Sequence, residues 1–356
     1  MDARTGASVL IPVHWWPVAR KGRGNMTVVV TGACGHLGAN LVRALLAEGR
    51  QVRAVDRTSD WRPLAELEVE RLEGDIRDAT FVRRAFEGAE VVYHTAAYIS
   101  LQMDEWPLVE SINVLGVRNV VQACLGCGVR RLVHFSSIHA LKQRPLDLPV
   151  DESSPLVHPH GKHPPYDRSK AAGESEVRHG VEKGLDAVII NPTGMIGPHD
   201  YAPSFFGRVL LALARGEMPA LVNAGFDWVD VRDVAAGAMQ AERLAPTGAR
   251  YLLSGHWVSL PALAAVVEEV TGVRPPRFVA PMGLARLAAA LAGRFGRRGE
   301  RPSLLTSVSL MALQGNRRIS HERATRELGY HPRPFRETIA DTLGWFRQAG
   351  MLAALP

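Results

Sequence analysis

From residue 27 to residue 190 the chain alternates short apolar runs, each closed by glycine or a polar residue, with longer stretches in which apolar positions recur at helical spacing. Thr27-Val-Val-Val-Thr31 is a β-branched run of the length of a buried strand, and residues 51–55, 69–72, 90–94, 131–135 and 186–190 repeat the pattern. Between them, Leu41, Leu45 and Leu46, then Phe81, Val82, Ala85 and Phe86, then the stretch from Trp106 to Ala123, mark helices with an apolar face. Apolar strands that alternate with helices are covered on both faces, so the pattern predicts an α/β fold built on a doubly wound parallel sheet.

The rhythm changes after Ile190. Asn191-Pro-Thr-Gly-Met-Ile-Gly-Pro198 breaks it, and a helix over 205–215 bearing Phe206, Leu210 and Leu213 is expected to wall a substrate cleft. Phe226-Asp-Trp-Val-Asp230 then returns to the first lobe, with Asp233 capping a helix over 234–243. A strand at 250–253 and a helix at 262–271 follow. The apolar stretch 281–295, interrupted by Arg286, is too short for a bilayer span of about twenty residues. Its composition suits either the wall of an apolar cleft or a membrane-surface contact. Residues 319–330 and 338–350 read as closing helices of structural character. The predicted division is an extension over 1–25, a sheet domain over 26–191 and 226–255, and a smaller lobe over 192–225 and 256–350.

Composition narrows this picture only in part. With 46% hydrophobic and 22% charged residues, the 356-residue chain has globular composition, which excludes disorder over most of it. Three cysteines, Cys34, Cys124 and Cys127, are too few and too clustered for a disulfide framework, which points to a reducing, cytoplasmic setting. In residues 1–25 an apolar patch precedes the basic Arg20-Lys21-Gly-Arg23, the reverse of a signal peptide. This stretch reads as a loosely attached extension, with a membrane-surface anchor as the alternative. The net charge of +6 suits anionic ligands, but no zinc-finger spacing or RNP-like motif accompanies it, so a nucleic-acid role is not expected.

Candidate chemistry begins after the first strand, at Gly32-Ala-Cys-Gly35-His-Leu-Gly38. Gly32 permits a tight turn, Gly35 removes a side chain where a pyrophosphate touches main chain, and Gly38 lets the helix pack on the strand. The helix N-terminus adds free N–H groups and a positive dipole end. Asp56 closes the second strand at the spacing of a carboxylate that accepts from a ribose 2′-OH. It favours NAD, whereas Arg57 beside it, or Arg53, suits the 2′-phosphate of NADP. Asp75 and Ile76 follow the next strand, where adenine contact fits, and Asp78 is a helix cap. Thr95, Ala96 and Ala97 are small enough for a dinucleotide to lie close.

Two serines, Ser136 and Ser137, end the 131–135 strand and point toward the ligand crevice of such a sheet. Tyr166 and Lys170 follow Pro164 and Pro165, so on a helix begun at those prolines they lie on one face a turn apart. A phenol with an ordinary pKa near 10 needs a nearby cation to move a proton at neutral pH, and Lys170 is in position to lower it. Other candidates are weaker. His158, His160 and His163 lie on a proline-broken loop without a fixing element, so no metal is expected. Cys124 and Cys127 close a helix far from any thioredoxin-like first strand, so buried, inert thiols are expected.

Thr31-Gly-Ala-Cys-Gly-His-Leu-Gly38, Gly74-Asp75, His94-Thr-Ala-Ala97, Asn113, Phe135-Ser-Ser137 and Tyr166-x-x-x-Lys170, in this order, resemble the extended short-chain dehydrogenase/reductase family over residues 26 to about 345. The chain is most similar to its dihydroflavonol-reductase and 3β-hydroxysteroid-dehydrogenase branch, with sugar-nucleotide epimerases next. The resemblance implies a Rossmann-type dinucleotide-binding domain, a smaller substrate-binding lobe and a homodimer. For the apolar stretch 281–295 it favours the cleft. It also implies roles: Tyr166 as proton donor or acceptor, Lys170 on the nicotinamide ribose, Ser137 on the substrate carbonyl oxygen, and Asn113 in a structural or relay role. His36 and Leu37 in the glycine run, and Pro192 and Thr193 beside the nicotinamide, are implied as further cofactor contacts.

Three functions follow as expectations. The first is an NAD(P)-dependent oxidoreductase interconverting a ketone and a secondary alcohol on an apolar small molecule. The second is a sugar-nucleotide epimerase or dehydratase with NAD recycled in place. The third, a non-catalytic dinucleotide-binding regulator, is opposed by the joint presence of Ser137, Tyr166 and Lys170.

Overall fold

A computed structural model describes residues 27–295, 304 and 306–353. The stretch 1–25, with the extension or membrane-surface anchor expected there, therefore lies outside the described residues. Seven parallel strands form the main sheet: β1 (Thr27–Thr31), β2 (Gln51–Asp56), β3 (Glu70–Glu73), β4 (Val91–His94), β5 (Arg131–Phe135), β6 (Ala187–Pro192) and β10 (Arg250–Leu253). Their spatial order is β10-β6-β5-β4-β1-β2-β3. The order reverses between β1 and β4, the switch point where ligands of doubly wound sheets bind. Register brings the strand ends level, with Thr31 opposite both Val55 and His94, and His94 opposite His134.

Both faces of the sheet are covered. On one side α1 (His36–Ala47), α7 (Val231–Leu244) and α11 (Glu322–Leu328) pack over Val28, Val30, Tyr93 and Tyr251. On the other lie α2 (Ala79–Phe86), α4 (Val117–Gly126) and α5 (Pro165–Glu182), over Val29, Val92, Leu132 and Ile189. This two-sided burial is why the strands read as continuous apolar runs. Asp78 caps α2 by accepting from the N–H groups of Thr80 and Phe81. α3 (Trp106–Glu110) joins α4 through a wide π-type turn over Ser111–Gly116, which holds Asn113.

A second lobe has its own core. β7 (Gly194–Ile196), β9 (Gly225–Asp230) and β11 (His256–Ser259) make a three-stranded sheet, and β8 (Leu221–Val222) pairs with β12 (Val279–Ala280). α6 (Phe205–Ala214), α8 (Leu260–Thr271), α9 (Met282–Phe295), α10 (Ser307–Ala312) and α12 (Phe335–Gln348) belong to this lobe. Their packing gathers Leu210, Leu213, Trp228, Leu263 and Phe346.

Four sequence expectations need correction. The chain returns to the first lobe at α7 rather than at Phe226, because β9 pairs with β7 and β11. The cap of α7 is Asp230, which accepts from the Arg232 N–H, while Asp233 accepts from the backbone and guanidinium of Arg333. Leu210 and Leu213 are buried in the lobe's core, so only Phe206 of the three expected α6 residues walls a cavity. Among the described residues, none of α9 borders either of the two cavities at the strand ends: Ala285 and Ala289 face inward, and Leu284, Leu287 and Leu291 face out.

Candidate functional site

Two cavities open along the strand ends at the switch point and share Gly32, Gly35, Thr95 and Ala97 in their walls. The smaller, about 310 Å³, runs past Asp56, Arg57, Asp75, Ile76 and Ala96. The larger, about 650 Å³, extends between the lobes past His36, Leu37, Gly38, Ser137, Tyr166, Lys170, Pro192 and Thr193. Every residue expected to hold cofactor thus borders one continuous trough, although they come from seven separate loops and helices.

The glycine turn explains how backbone reaches that trough. Gly32 has φ 69°, and a Cβ there would sit 2.7 Å from the backbone of Ala96. A Cβ on Gly38 would come within 2.1 Å of the Gly32 carbonyl oxygen, so α1 could not pack against the turn. Gly35 differs: its Cβ would meet only that same carbonyl oxygen, at 3.2 Å, and otherwise points into open space. Gly35 precedes α1 and offers no side-chain cap, which leaves the first N–H groups of the helix for an anionic ligand. Asp56 accepts from the Cys34 N–H at 2.9 Å and the Thr58 N–H at 3.1 Å, which fixes its carboxylate at the cavity edge. Arg53 turns away, paired with Glu70 and with the carbonyls of Ala85 and Glu87. Arg57 remains exposed at the rim.

Farther along, Ser137, Tyr166 and Lys170 all line the larger cavity. Pro165 at the first turn of α5 sets Tyr166 and Lys170 on the face that looks toward the end of β5. Burial pushes the Tyr166 phenol up to about 12, a hydrogen bond with Ser137 works the other way, and Asp167 adds to the rise. The phenol is therefore raised, where the sequence suggested that Lys170 lowers it. Lys170 instead donates to the Phe135 carbonyl oxygen at 2.7 Å, and burial pulls its pKa down to about 8 against the pull of Glu174. Glu174 is in turn paired with Arg250 and Arg178.

Asn113 lies outside both cavities. Its amide accepts from the Tyr98 N–H and donates to the Tyr98 carbonyl and to Ser169 Oγ, which ties the loop after β4 to α5. Ser136 Oγ is buried and without a hydrogen-bond partner, whereas Ser137 Oγ accepts from the His139 N–H. Thr193 donates to Asp227, which fixes the crossover between lobes. Cys34 borders the smaller cavity, with its thiol pushed up to about 12 by burial and by Asp56 and Asp60. Cys124 is buried and its thiol is likewise raised.

Several wall residues carry no signal in the sequence. His139 Nδ1 lies 3.5 Å from Asp167, and its ring stands edge-on to Tyr166 at 6.1 Å between centroids. Burial disfavours its charged form, but Asp167 outweighs this and the imidazole pKa is raised. Val308, Ser309 and Met311 of α10 close the cavity from more than 140 residues beyond Tyr166 in the chain, and no local pattern marks them.

A doubly wound sheet with a glycine turn at its switch point defines a dinucleotide-binding protein. The chain belongs to the NAD dependent epimerase/dehydratase family, whose profile matches residues 28–251, and so to the extended short-chain dehydrogenase/reductases. It is 40% identical to sterol demethylase protein B of Methylococcus capsulatus, over 92% of this chain and all of the relative. It is 29% identical to 3 beta-hydroxysteroid dehydrogenase/Delta 5→4-isomerase of Mycobacterium tuberculosis, over 86% of each. The crystal structure of gox2253 superposes with a TM-score of 0.80 at 34% identity, covering 92% of this chain and 100% of that one. The protein is an NAD-dependent oxidoreductase-type enzyme acting on a CH–OH or carbonyl group. The bare Gly35 backbone, the uncapped α1 terminus and the fixed Asp56 carboxylate fit that dinucleotide.

Proposed function

We propose that the protein interconverts a ketone and a secondary alcohol on an apolar, sterol-like molecule, through Ser137, Tyr166 and Lys170. The observation that carries this reading is that those three side chains line one cavity together with Ile99, Leu141, Leu146, Phe205 and Phe206, which outweigh in apolar surface the polar Lys142, Gln143, Arg144 and Asn316 of the same wall. The relatives named for sterol and hydroxysteroid chemistry support the substrate class.

In this reading NAD, when bound, supplies the hydride acceptor or donor. Gly32, Gly35, His36, Leu37 and Gly38 hold its pyrophosphate, Asp56 its adenosine ribose, and Asp75, Ile76 and Thr95 to Ala97 flank the adenine half. Arg57 covers the rim, Pro192 and Thr193 border the nicotinamide, and Lys170 holds the nicotinamide ribose. Burial disfavours the phenolate, so Tyr166 holds its proton at Oη at neutral pH without ligand, and in this reading it is the donor to a substrate oxygen held beside Ser137. Ser137 orients that oxygen, and Asn113 fixes the relative position of α5 and the loop after β4 without touching substrate.

Tyr166→Phe is expected to lower turnover by about 10²–10⁴-fold, the usual worth of a positioned acid or base. Dinucleotide affinity, measured by fluorescence titration, should stay close to wild type. Loss of both together would mean that the catalytic centre lies elsewhere. Incubation with NADH and a panel of sterol ketones, small ketones and UDP-sugars separates the two family chemistries. Net NADH oxidation with ketones supports this reading, and isomerised sugar without net oxidation defeats it.

A further inference from the structure

We propose that the outward face of α9 is a docking surface for an anionic lipid bilayer. Leu284, Leu287 and Leu291 are 47%, 58% and 50% exposed and recur at i, i+3 and i+7, so they form one stripe along the helix. Phe278 and Val279, just before α9, are exposed as well. Single exposed leucines need no explanation, but an apolar stripe on a helix that among its described residues packs inward through Met282, Ala285 and Ala289 alone calls for a partner.

Charge selects the partner. From Gly272 to Gly299 the sequence holds six arginines and no aspartate or glutamate. Of these, Arg274, Arg277 and Arg286 are described and exposed. A second copy docking through the same face would be related by a two-fold axis and would set these arginines against themselves. Lipid phosphates would neutralise them, while the leucines enter the acyl boundary. A helix of 14 residues is about 21 Å long. Among the described residues no helix is long and apolar enough to cross a membrane, so α9 lies along the surface.

The face adjoins the larger cavity. α10 packs on α9, and its Met311 is both 46% exposed and part of the cavity wall. An apolar substrate dissolved in the bilayer would thus meet the cavity mouth without crossing water. This last consequence rests on the proposed substrate class, whereas the docking itself does not.

The test is sedimentation of the full-length chain with vesicles, without substrate, so its outcome is independent of the catalytic reading. With equimolar phosphatidylglycerol and phosphatidylcholine the protein is expected to bind, and to bind less as salt is raised. Leu284→Ser combined with Leu287→Ser should weaken binding at least about tenfold, since affinity follows buried apolar area. Arg274→Gln combined with Arg277→Gln should weaken it on anionic vesicles only. Both pairs should retain the wild-type thermal shift with NAD, which verifies that they fold. The proposal is overturned if wild type does not bind these anionic vesicles, if the leucine variants bind as well as wild type, or if those variants turn a dimer into a monomer in light scattering with no lipid binding by wild type.

Discussion

Lys170 is held against its own electrostatic preference. Its ammonium is buried, hydrogen-bonded to a single backbone carbonyl, and its pKa falls to about 8 against an unfolded value of about 10.4. Between those values the unfolded chain binds more protons, so stability rises with pH through this window, and the full penalty is present below pH 8. Lys170→Met should therefore stabilise the protein at pH 7 without added dinucleotide, on the order of 2 kcal/mol after the lost hydrogen bond is subtracted. The gain should shrink toward pH 10. Urea unfolding of variant and wild type at both pH values measures this, and a variant less stable at pH 7 would show that the Phe135 contact outweighs desolvation. A buried lysine with a lowered pKa in the wall of a cavity suits the role proposed for Lys170.

At the scale of elements, the site depends on how closely α5 approaches the helix after β4. Gly173 makes this possible: a Cβ there would lie 2.3 Å from the Asn113 carbonyl oxygen, a backbone atom that cannot swing aside. Gly173→Ala should push the two segments apart and cost about 1–3 kcal/mol, the range for overpacking, despite alanine's better helix propensity. A thermal midpoint equal to wild type would show that the π-type turn at Ser111–Gly116 yields instead. In the sequence the helix over Trp106 to Ala123 is marked by its apolar face, α5 by Pro164 and Pro165, and Asn113 by the family resemblance, but nothing marks the close contact. That contact joins residues 60 positions apart. α9 gives the opposite lesson: its composition suited a cleft wall, yet composition does not state which face is covered.

On the scale of the whole molecule, the two cavities meet at shared wall residues, among them Gly35, where an added Cβ would project into open space. Gly35 has an ordinary extended backbone, φ −71° and ψ 167°, which alanine adopts freely. Gly35→Ala should leave ligand-free stability within about 1 kcal/mol of wild type, since its added methyl needs only a slight shift. It should reduce the thermal upshift given by NAD, which for wild type amounts to about 2.7 kcal/mol at a hundredfold excess over Kd. An undiminished upshift would mean that the dinucleotide does not pass over this residue.

What the sequence determined by itself is the part of the protein governed by local physics. β-branched runs, helical periodicity, a glycine at each required turn and proline at the start of α5 are encoded within a few residues of where they act. They define the parallel sheet, the dinucleotide turn and the spacing of Tyr166 and Lys170. Tertiary structure alone decided what depends on distant neighbours. Desolvation raised the Tyr166 pKa, the end of β5 captured the Lys170 ammonium, and Asp230 rather than Asp233 met the free N–H groups of α7. It also brought α10 over the cavity and turned the leucines of α9 outward, because burial is set by what packs against a face and not by the face itself.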